Sequence, residues 1–199
     1  PSPFHIRNVV RADEHGDSFA SLIMAAQLGL SGAAVPWEKR KPVAFWRGTF
    51  SVPDQVLSAG FESLPRVKLI RIAKARPELF DVKLTAIDTF AMNAFGSREA
   101  LDKLFQRADI TDAHLGEHHF VDYQEHAPHY KIQLNVNAVG SSWRLHQLLL
   151  TGSALILQDH PSNEWLKHFL IPWKHFVPVG EDLADLTAKV VYLTTNDTA

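Results

Sequence analysis

From Lys131 to Val139 apolar and polar residues alternate almost without a break, and this stretch constrains the fold most. Ile132, Leu134, Val136 and Ala138 fall on one side, with Gln133, Asn135 and Asn137 on the other. That is the period of a β-strand. Ser141 then stands where it can cap a helix running to Thr151, and Gly152 suits its C-terminal stop. Ala154–Leu157 reads as a short buried strand, Glu164–Phe169 as a short helix and His175–Val179 as a further strand. Asp182 with Asp185 opens a last helix whose Leu183, Leu186, Val190 and Leu193 share one stripe. Strands and helices taken in turn bury their apolar sides as a parallel sheet flanked by helices. The expected fold is α/β, a Rossmann-like parallel sheet with helices on both faces.

The middle of the chain agrees. Val43–Trp46 is a β-prone run ending at Arg47-Gly48-Thr49. Arg66 to Arg76 carries Val67, Leu69, Ile70 and Ala73 at helical spacing. Pro65 fits the first helical position, and Pro77 stops the helix at Arg76. Leu79–Ile87 predicts a strand, and Arg98–Ala108 a helix with Ser97 as its N-cap. Asp109–Tyr130 is polar and irregular, and reads as a long loop. Residues 1–36 are weakly patterned apart from a helical Ser18–Leu28, and are expected to be a connector or the remnant of an upstream domain. Pro1 is not a natural start, so a processed product or fragment is expected.

Composition excludes several classes. Five Trp and twelve Phe demand burial, which argues against intrinsic disorder. The longest apolar runs, Leu148–Leu150 and Ala154–Leu157, fall far short of the roughly 18 residues a membrane span needs. With no cysteine, the chain has no disulfide, no Cys-based zinc site and no thiol nucleophile. Net charge is −2, but it is unevenly placed: Trp37 to Arg76 holds nine Lys/Arg against three Asp/Glu. A basic block in an otherwise acidic chain suggests a local anion site rather than a nucleic-acid surface, the alternative being a solvated face.

Arg66 and Arg144 sharpen that reading. Each is expected in the first turn of a helix, where the macrodipole disfavours a cation by about 0.3–1 kcal/mol. Both placements make sense if an anion rests between the two helix ends, held by backbone N–H groups and both guanidinium groups. The alternative is that Arg144 pairs with a nearby carboxylate and Ser141 merely caps. Val139-Gly140-Ser141-Ser142 joins a strand to a helix with small residues, at the kind of crevice where open α/β sheets bind ligands. It is neither G-x-G-x-x-G nor a P-loop, so a diphosphate ligand other than a nicotinamide cofactor or a nucleoside triphosphate fits.

Four segments then carry a resemblance. They are Pro36-Trp37-Glu38-Lys39 with Ala44-Phe45-Trp46-Arg47-Gly48-Thr49, then Arg66 through Asp81, then Tyr130-Lys131 through Arg144 with Gly152-Ser153-Ala154-Leu155. The last is Pro172-Trp173-Lys174-His175-Phe176-Val177-Pro178-Val179 with Asp182-Leu183 and Asp185-Leu186. Together they resemble the protein O-glucosyltransferases and fungal capsule-associated proteins, glycosyltransferase family ninety, over residues 36 to 199. Ala138, Thr49 and Phe176 stand where relatives commonly have Gly, Ser and Tyr.

The resemblance implies a GT-B fold with this chain as its C-terminal, donor-binding half, residues 37–199, and with the family's C-terminal helices truncated. It implies transfer of glucose or xylose from a UDP-sugar to a hydroxyl of a protein or polysaccharide, with inversion, no cofactor and no required metal. By carry-over Arg47, Gly48 and Thr49 line the donor site, and Arg66 and Arg144 hold the diphosphate and stabilise charge in the transition state. Gly140, Ser141 and Ser142 add donors, and Glu164 binds the ribose. The general base is expected upstream, so this piece alone is expected to lack full activity. Neither nucleic acid nor, within this chain, a membrane is an expected partner, and the implied location in a eukaryote is the lumen of the endoplasmic reticulum or Golgi. The alternative is a non-catalytic nucleotide- or carbohydrate-binding module of the same fold.

Other signals compete. His114-Leu115-Gly116-Glu117-His118 matches an inverted zincin pattern, but Gly116 weakens a helix there and no helical periodicity surrounds it, so a His-rich loop is expected. Trp37, Trp46, Trp143, Trp165 and Trp173 suggest packing before a sugar-stacking platform. Pro172, Trp173 and Pro178 are expected to shape a turn and a strand entry, and His175 to be a hydrogen-bonded structural histidine.

Overall fold

The computed structural model describes residues 35–51, 60–110, 126–137, 144–159 and 168–196. The expected connector, residues 1–34 of it, lies outside the described residues, as do the His114–His118 motif, Trp143, Trp165 and most of the helix expected at Glu164–Phe169.

Five strands make one sheet: β1 Lys41–Phe50, β2 Phe80–Ile87, β3 Tyr130–Asn135, β4 Ala154–Gln158 and β5 Val177–Val179. Their order is β2-β1-β3-β4-β5, and every neighbouring pair is parallel. Among the described residues five α-helices accompany them: α1 Pro65–Ala75, α2 Thr89–Ala94, α3 Arg98–Arg107, α4 Leu145–Leu150 and α5 Leu186–Thr195. The Rossmann-like α/β fold read from the sequence is the fold observed.

Alternation along β1 sends its side chains to two cores. Ala44, Trp46 and Phe50 pack with Val67, Leu69 and Ile70 of α1, Leu101 and Phe105 of α3, and Leu186 and Val190 of α5. Phe45 faces the other way, towards Tyr130, Leu155 and the α4 residues Leu145 and Leu148. Helices therefore cover both faces, which is the usual burial of a parallel sheet.

Capping explains where most helices start. Pro65 occupies the first turn of α1 and Arg76 closes it just before Pro77. Ser97 Oγ accepts from the Ala100 amide at 3.1 Å, as its N-cap role requires. Asp88 does the same for the Ala91 amide at 2.7 Å and opens α2, a short helix that periodicity did not predict.

Several boundaries differ from expectation. β1 continues through Arg47, Gly48 and Thr49 instead of ending there. β3 stops at Asn135, and α4 starts at Leu145, with Arg144 at its N-cap position and not in its first turn. Its terminator is as expected: Gly152 has φ 65°, a left-handed geometry that glycine adopts without a Cβ clash. β5 is confined to Val177–Val179. Asp185 stands at the N-cap of α5 without accepting a main-chain amide of its first turn: its Oδ1 accepts from the Gly180 amide at 3.1 Å, and its Oδ2 pairs with the Lys189 side chain.

Arg40 staples the amino-terminal end of the sheet. It is buried, with Nε donating to Val35 O at 2.9 Å and Nη1 to Thr151 O at 2.8 Å and Ser153 Oγ at 2.9 Å. Thr151 is the C-cap of α4, so the cation also meets the negative end of that helix. Among the described residues no helix is long and apolar enough to cross a membrane.

Candidate functional site

The strand order fixes where a ligand fits. Because β2 and β3 flank β1 on opposite sides, the chain reverses direction across the sheet between β1 and β3. In such sheets the crevice opens outside the carboxyl ends of those two strands. Thr49, at that end of β1, and Asn135, at that end of β3, mark it.

The two arginines singled out by their helix positions meet there. Arg66 starts α1 on one face of the sheet, and Arg144 precedes α4 on the other. Arg66 Nη1 donates to Thr49 O and, at 2.9 Å, to Ser51 Oγ. Arg144 Nη1 donates to Arg47 O. Each thus reaches onto a main-chain carbonyl near the carboxyl end of β1, Arg66 from one face of the sheet and Arg144 from the other.

Arg66 is the more constrained of the pair. Only 8% of it is exposed, its guanidinium sits 5.4 Å over the Trp46 ring, and among the described residues its Nε has no partner. Burial first, then the nearby Arg144 charge, push its pKa down to about 9, partly opposed by Asp88. Among the described residues no carboxylate forms an ion pair with Arg66. A buried cation with no carboxylate in contact costs several kcal/mol, and a nearby second cation adds to that, Asp88 offsetting it only in part. The arrangement is one that an anion relieves.

Arg47 is placed differently. Its Nη2 pairs with Asp81 Oδ1 at 2.7 Å, and its Nη1 donates to Trp46 O at 3.0 Å and Asp81 O at 2.9 Å. The head group is engaged in holding β1 to β2, and what Arg47 presents to the crevice is the carbonyl gripped by Arg144. Tyr130 donates its hydroxyl to the same carboxylate. Burial pushes the Asp81 carboxyl upward, but Tyr130 and Arg47 outweigh it and hold the pKa below the ordinary value. The Tyr130 phenol is raised by burial and by Asp81.

Gly48 lies under the Trp46 indole, and at Gly48–Thr49 the register with β2 shifts by a bulge. The extra residue, Thr85, stands in β2, opposite the step of β1 from Gly48 to Thr49. Gly140, Ser141, Ser142 and Glu164 lie outside the described residues.

The basic block from Trp37 to Arg76 does not collect at one place. Arg40 is bound to carbonyls, Arg47 to Asp81, Arg71 to Glu62, Lys74 to Asp109 and Arg76 to Glu78. Of that block Arg66 reaches the crevice, so the excess charge is mostly framework and surface. A separate cleft of about 430 Å³ lies at the amino-terminal strand ends, lined by Lys41, Val43, Phe80, Asp81, Lys83 and Tyr130. The carboxyl end of α1 faces it, which is the wrong dipole end for an anion. Among the described residues no group of three or more His, Cys, Asp or Glu is placed to hold a metal ion.

Sequence reasoning passed over a set of amides at the crevice. Asn137 donates its amide N–H to Gln158 Oε1 at 2.9 Å, and Gln158 Nε2 donates to Glu181 O at 2.7 Å, tying the ends of β3, β4 and the segment after β5. The signal was present in the polar half of the 131–139 alternation, which a doubly covered sheet buries instead of exposing.

The family model described as Glycosyl transferase family 90 matches residues 23–199. The chain is 27% identical over 170 residues to Protein O-glucosyltransferase 1 of Rattus norvegicus, covering 84% of this chain and 36% of that protein. It is 29% identical over 171 residues to Protein O-glucosyltransferase 3 of Homo sapiens, covering 85% and 28% respectively. Protein O-glucosyltransferase 2 of Danio rerio is 28% identical over 178 residues, covering 89% and 29%. The chain thus spans about a third of the length of the curated relatives it matches.

Proposed function

The chain belongs to glycosyl transferase family 90, and we propose that it forms the donor-binding part of a transferase moving glucose or xylose from a UDP-sugar to a protein hydroxyl. The observation that carries this reading is the meeting of Arg66 and Arg144 at the carboxyl end of β1. The names of the relatives support glucose and a protein acceptor.

The chemistry follows from charge. As the bond from the anomeric carbon to the diphosphate oxygen breaks, UDP gains negative charge. Guanidinium groups already fixed in place stabilise that developing charge more than they stabilise the bound sugar nucleotide. Arg66 and Arg144 therefore serve the leaving group, with no metal needed for this role. The acceptor hydroxyl must lose a proton to a base as it attacks. Attack from the face opposite the leaving diphosphate inverts the anomeric centre. By the family resemblance that base belongs to an upstream half, and a polypeptide carrying both halves works in the secretory lumen.

A transfer assay tests the reading. A polypeptide carrying this chain together with the upstream half is incubated with UDP-glucose or UDP-xylose and a hydroxyl-bearing protein acceptor, and UDP release and acceptor mass are followed. Release matched by a gain of one sugar per acceptor is expected. Arg66→Ala should lower kcat and not only raise KM. UDP binding without transfer would favour a non-catalytic nucleotide-binding module, and failure to bind UDP at all would overturn both readings.

A further inference from the structure

Asn135 ends β3 at the crevice, and its side-chain amide is the least satisfied polar group there. The residue is 2% exposed, and among the described residues its buried Oδ1 has no hydrogen-bond partner. Among the described residues Nδ2 has no bond either. Its neighbours are better satisfied. Gln133, two residues earlier on the same strand face, also leaves Oε1 buried without a partner among the described residues, but its Nε2 donates to Ala127 O at 2.6 Å, and Asn137, two later, bonds to Gln158 through main and side chain.

Its placement is specific. Ile132, Leu134 and Val136 belong to the α1 side of the sheet, so Asn135 faces the α4 side, where Leu145 and Leu148 pack. On β4 it is matched with Leu157. On the β1 side the Phe45–Gln133 pair sets the register, and two residues further along each strand stand Arg47 and Asn135. The Arg47 carbonyl is the one Arg144 grips. The amide thus lies on the strand position next to the one whose carbonyl Arg144 grips, and no bond joins it to that arginine.

A buried amide with unmade hydrogen bonds destabilises the fold by about 1–3 kcal/mol, and such groups call for an explanation. Packing alone does not provide one, because leucine has nearly the same shape without the penalty. From the geometry we infer that Asn135 is a donor-binding residue. Its amide hydrogen-bonds a hydroxyl or N–H of the neutral part of the sugar nucleotide, next to the diphosphate that Arg66 and Arg144 hold. This rests on the proposed donor-binding reading and adds to it a contact that reads the ligand's shape rather than its charge.

The experiment compares the wild-type chain with Asn135→Leu and Arg66→Ala, titrating each with UDP and with UDP-glucose and recording its melting temperature. Asn135→Leu should melt at or above the wild-type temperature and bind at least one ligand ten-fold or more weakly. Loss for UDP-glucose with UDP unchanged assigns the contact to the sugar, and equal loss for both assigns it to the nucleoside. Unchanged affinity in Asn135→Leu, while Arg66→Ala loses UDP, overturns the Asn135 inference and leaves the donor site standing. A wild-type chain that binds neither ligand overturns the donor-site reading itself. Asn135→Val, better suited to a strand, repeats the comparison if the leucine variant does not fold. A marked fall in melting temperature for both variants, with binding retained, assigns Asn135 to the framework instead.

Discussion

Gly48 is covered by the indole of Trp46: a Cβ at position 48 would lie 2.7 Å from the Trp46 Cη2 atom. Trp46 is fully buried and carries Arg66 on its ring, so it cannot swing aside without disturbing the crevice. Gly48→Ala is therefore expected to destabilise the fold by about 1–3 kcal/mol through overpacking. Urea unfolding should show a lower midpoint. Because the strain passes to Arg66, UDP affinity should fall as well, whereas a loss of stability with unchanged affinity would separate Trp46 from the site.

The Arg47–Asp81–Tyr130 cluster gives stability a pH dependence at both ends. The folded pKa of Asp81 lies below its unfolded value near 4, so its contribution is present above about pH 4 and disappears as pH falls through the folded value. The Tyr130 phenol is raised, so its contribution is complete below about pH 10 and is lost as pH rises. Asp81→Asn should flatten the acid limb of a stability-against-pH curve and Tyr130→Phe the alkaline limb. Chemical denaturation at stepped pH measures both.

Removing Arg40 leaves Val35 O, Thr151 O and Ser153 Oγ without their donor. Arg40→Met should cost about 1.5–3 kcal/mol, the range for hydrogen bonds to a charged group. The denaturant midpoint should move with the slope unchanged. Since the staple lies at the sheet's amino-terminal end, UDP affinity measured below the new melting point should stay within two-fold, roughly 0.4 kcal/mol.

His175 closes the turn that leads into β5 by accepting the Ile171 amide at Nδ1, 2.9 Å away. An imidazolium has no lone pair there. Burial, helped by Lys174, depresses the histidine's pKa. The contact is therefore intact above the unfolded value near 6.5 and is lost as pH falls through the lower folded one. Hydrogen exchange at Ile171, corrected for its intrinsic pH dependence, should speed up over that window, and His175→Phe should show fast exchange throughout.

The sheet was legible because its strands are short apolar or alternating runs and its helices have strong terminators. Pro65, Pro77, Ser97 and Gly152 all act as local chemistry dictates. The boundaries near the site were less legible. Arg47, Gly48 and Thr49 looked like a strand's end, yet the strand runs through them because the Arg47–Asp81 pair and the Trp46–Gly48 contact make a polar residue and a glycine compatible with a buried strand. Arg144 was misplaced by one helical turn because Ser141 offered a plausible cap and nothing local favoured Leu145 as the start. The arginine pair could be guessed from two cations near helix starts, but their common target, the β1 carbonyls, depends on strand order. Asn135 gave no sign of its own. An amide on a strand becomes notable only once its hydrogen bonds can be counted.

The central claim is that Arg66 and Arg144 act on one diphosphate, and calorimetric titration of UDP against uridine tests it most directly. Wild type, Arg66→Ala, Arg144→Ala and the double variant are titrated with each ligand at one salt concentration. Each single variant should lose about ten-fold or more in UDP affinity, the double variant should lose less than the product of the two, and weak uridine binding should not change. UDP affinity that is the same in all four proteins would contradict the account.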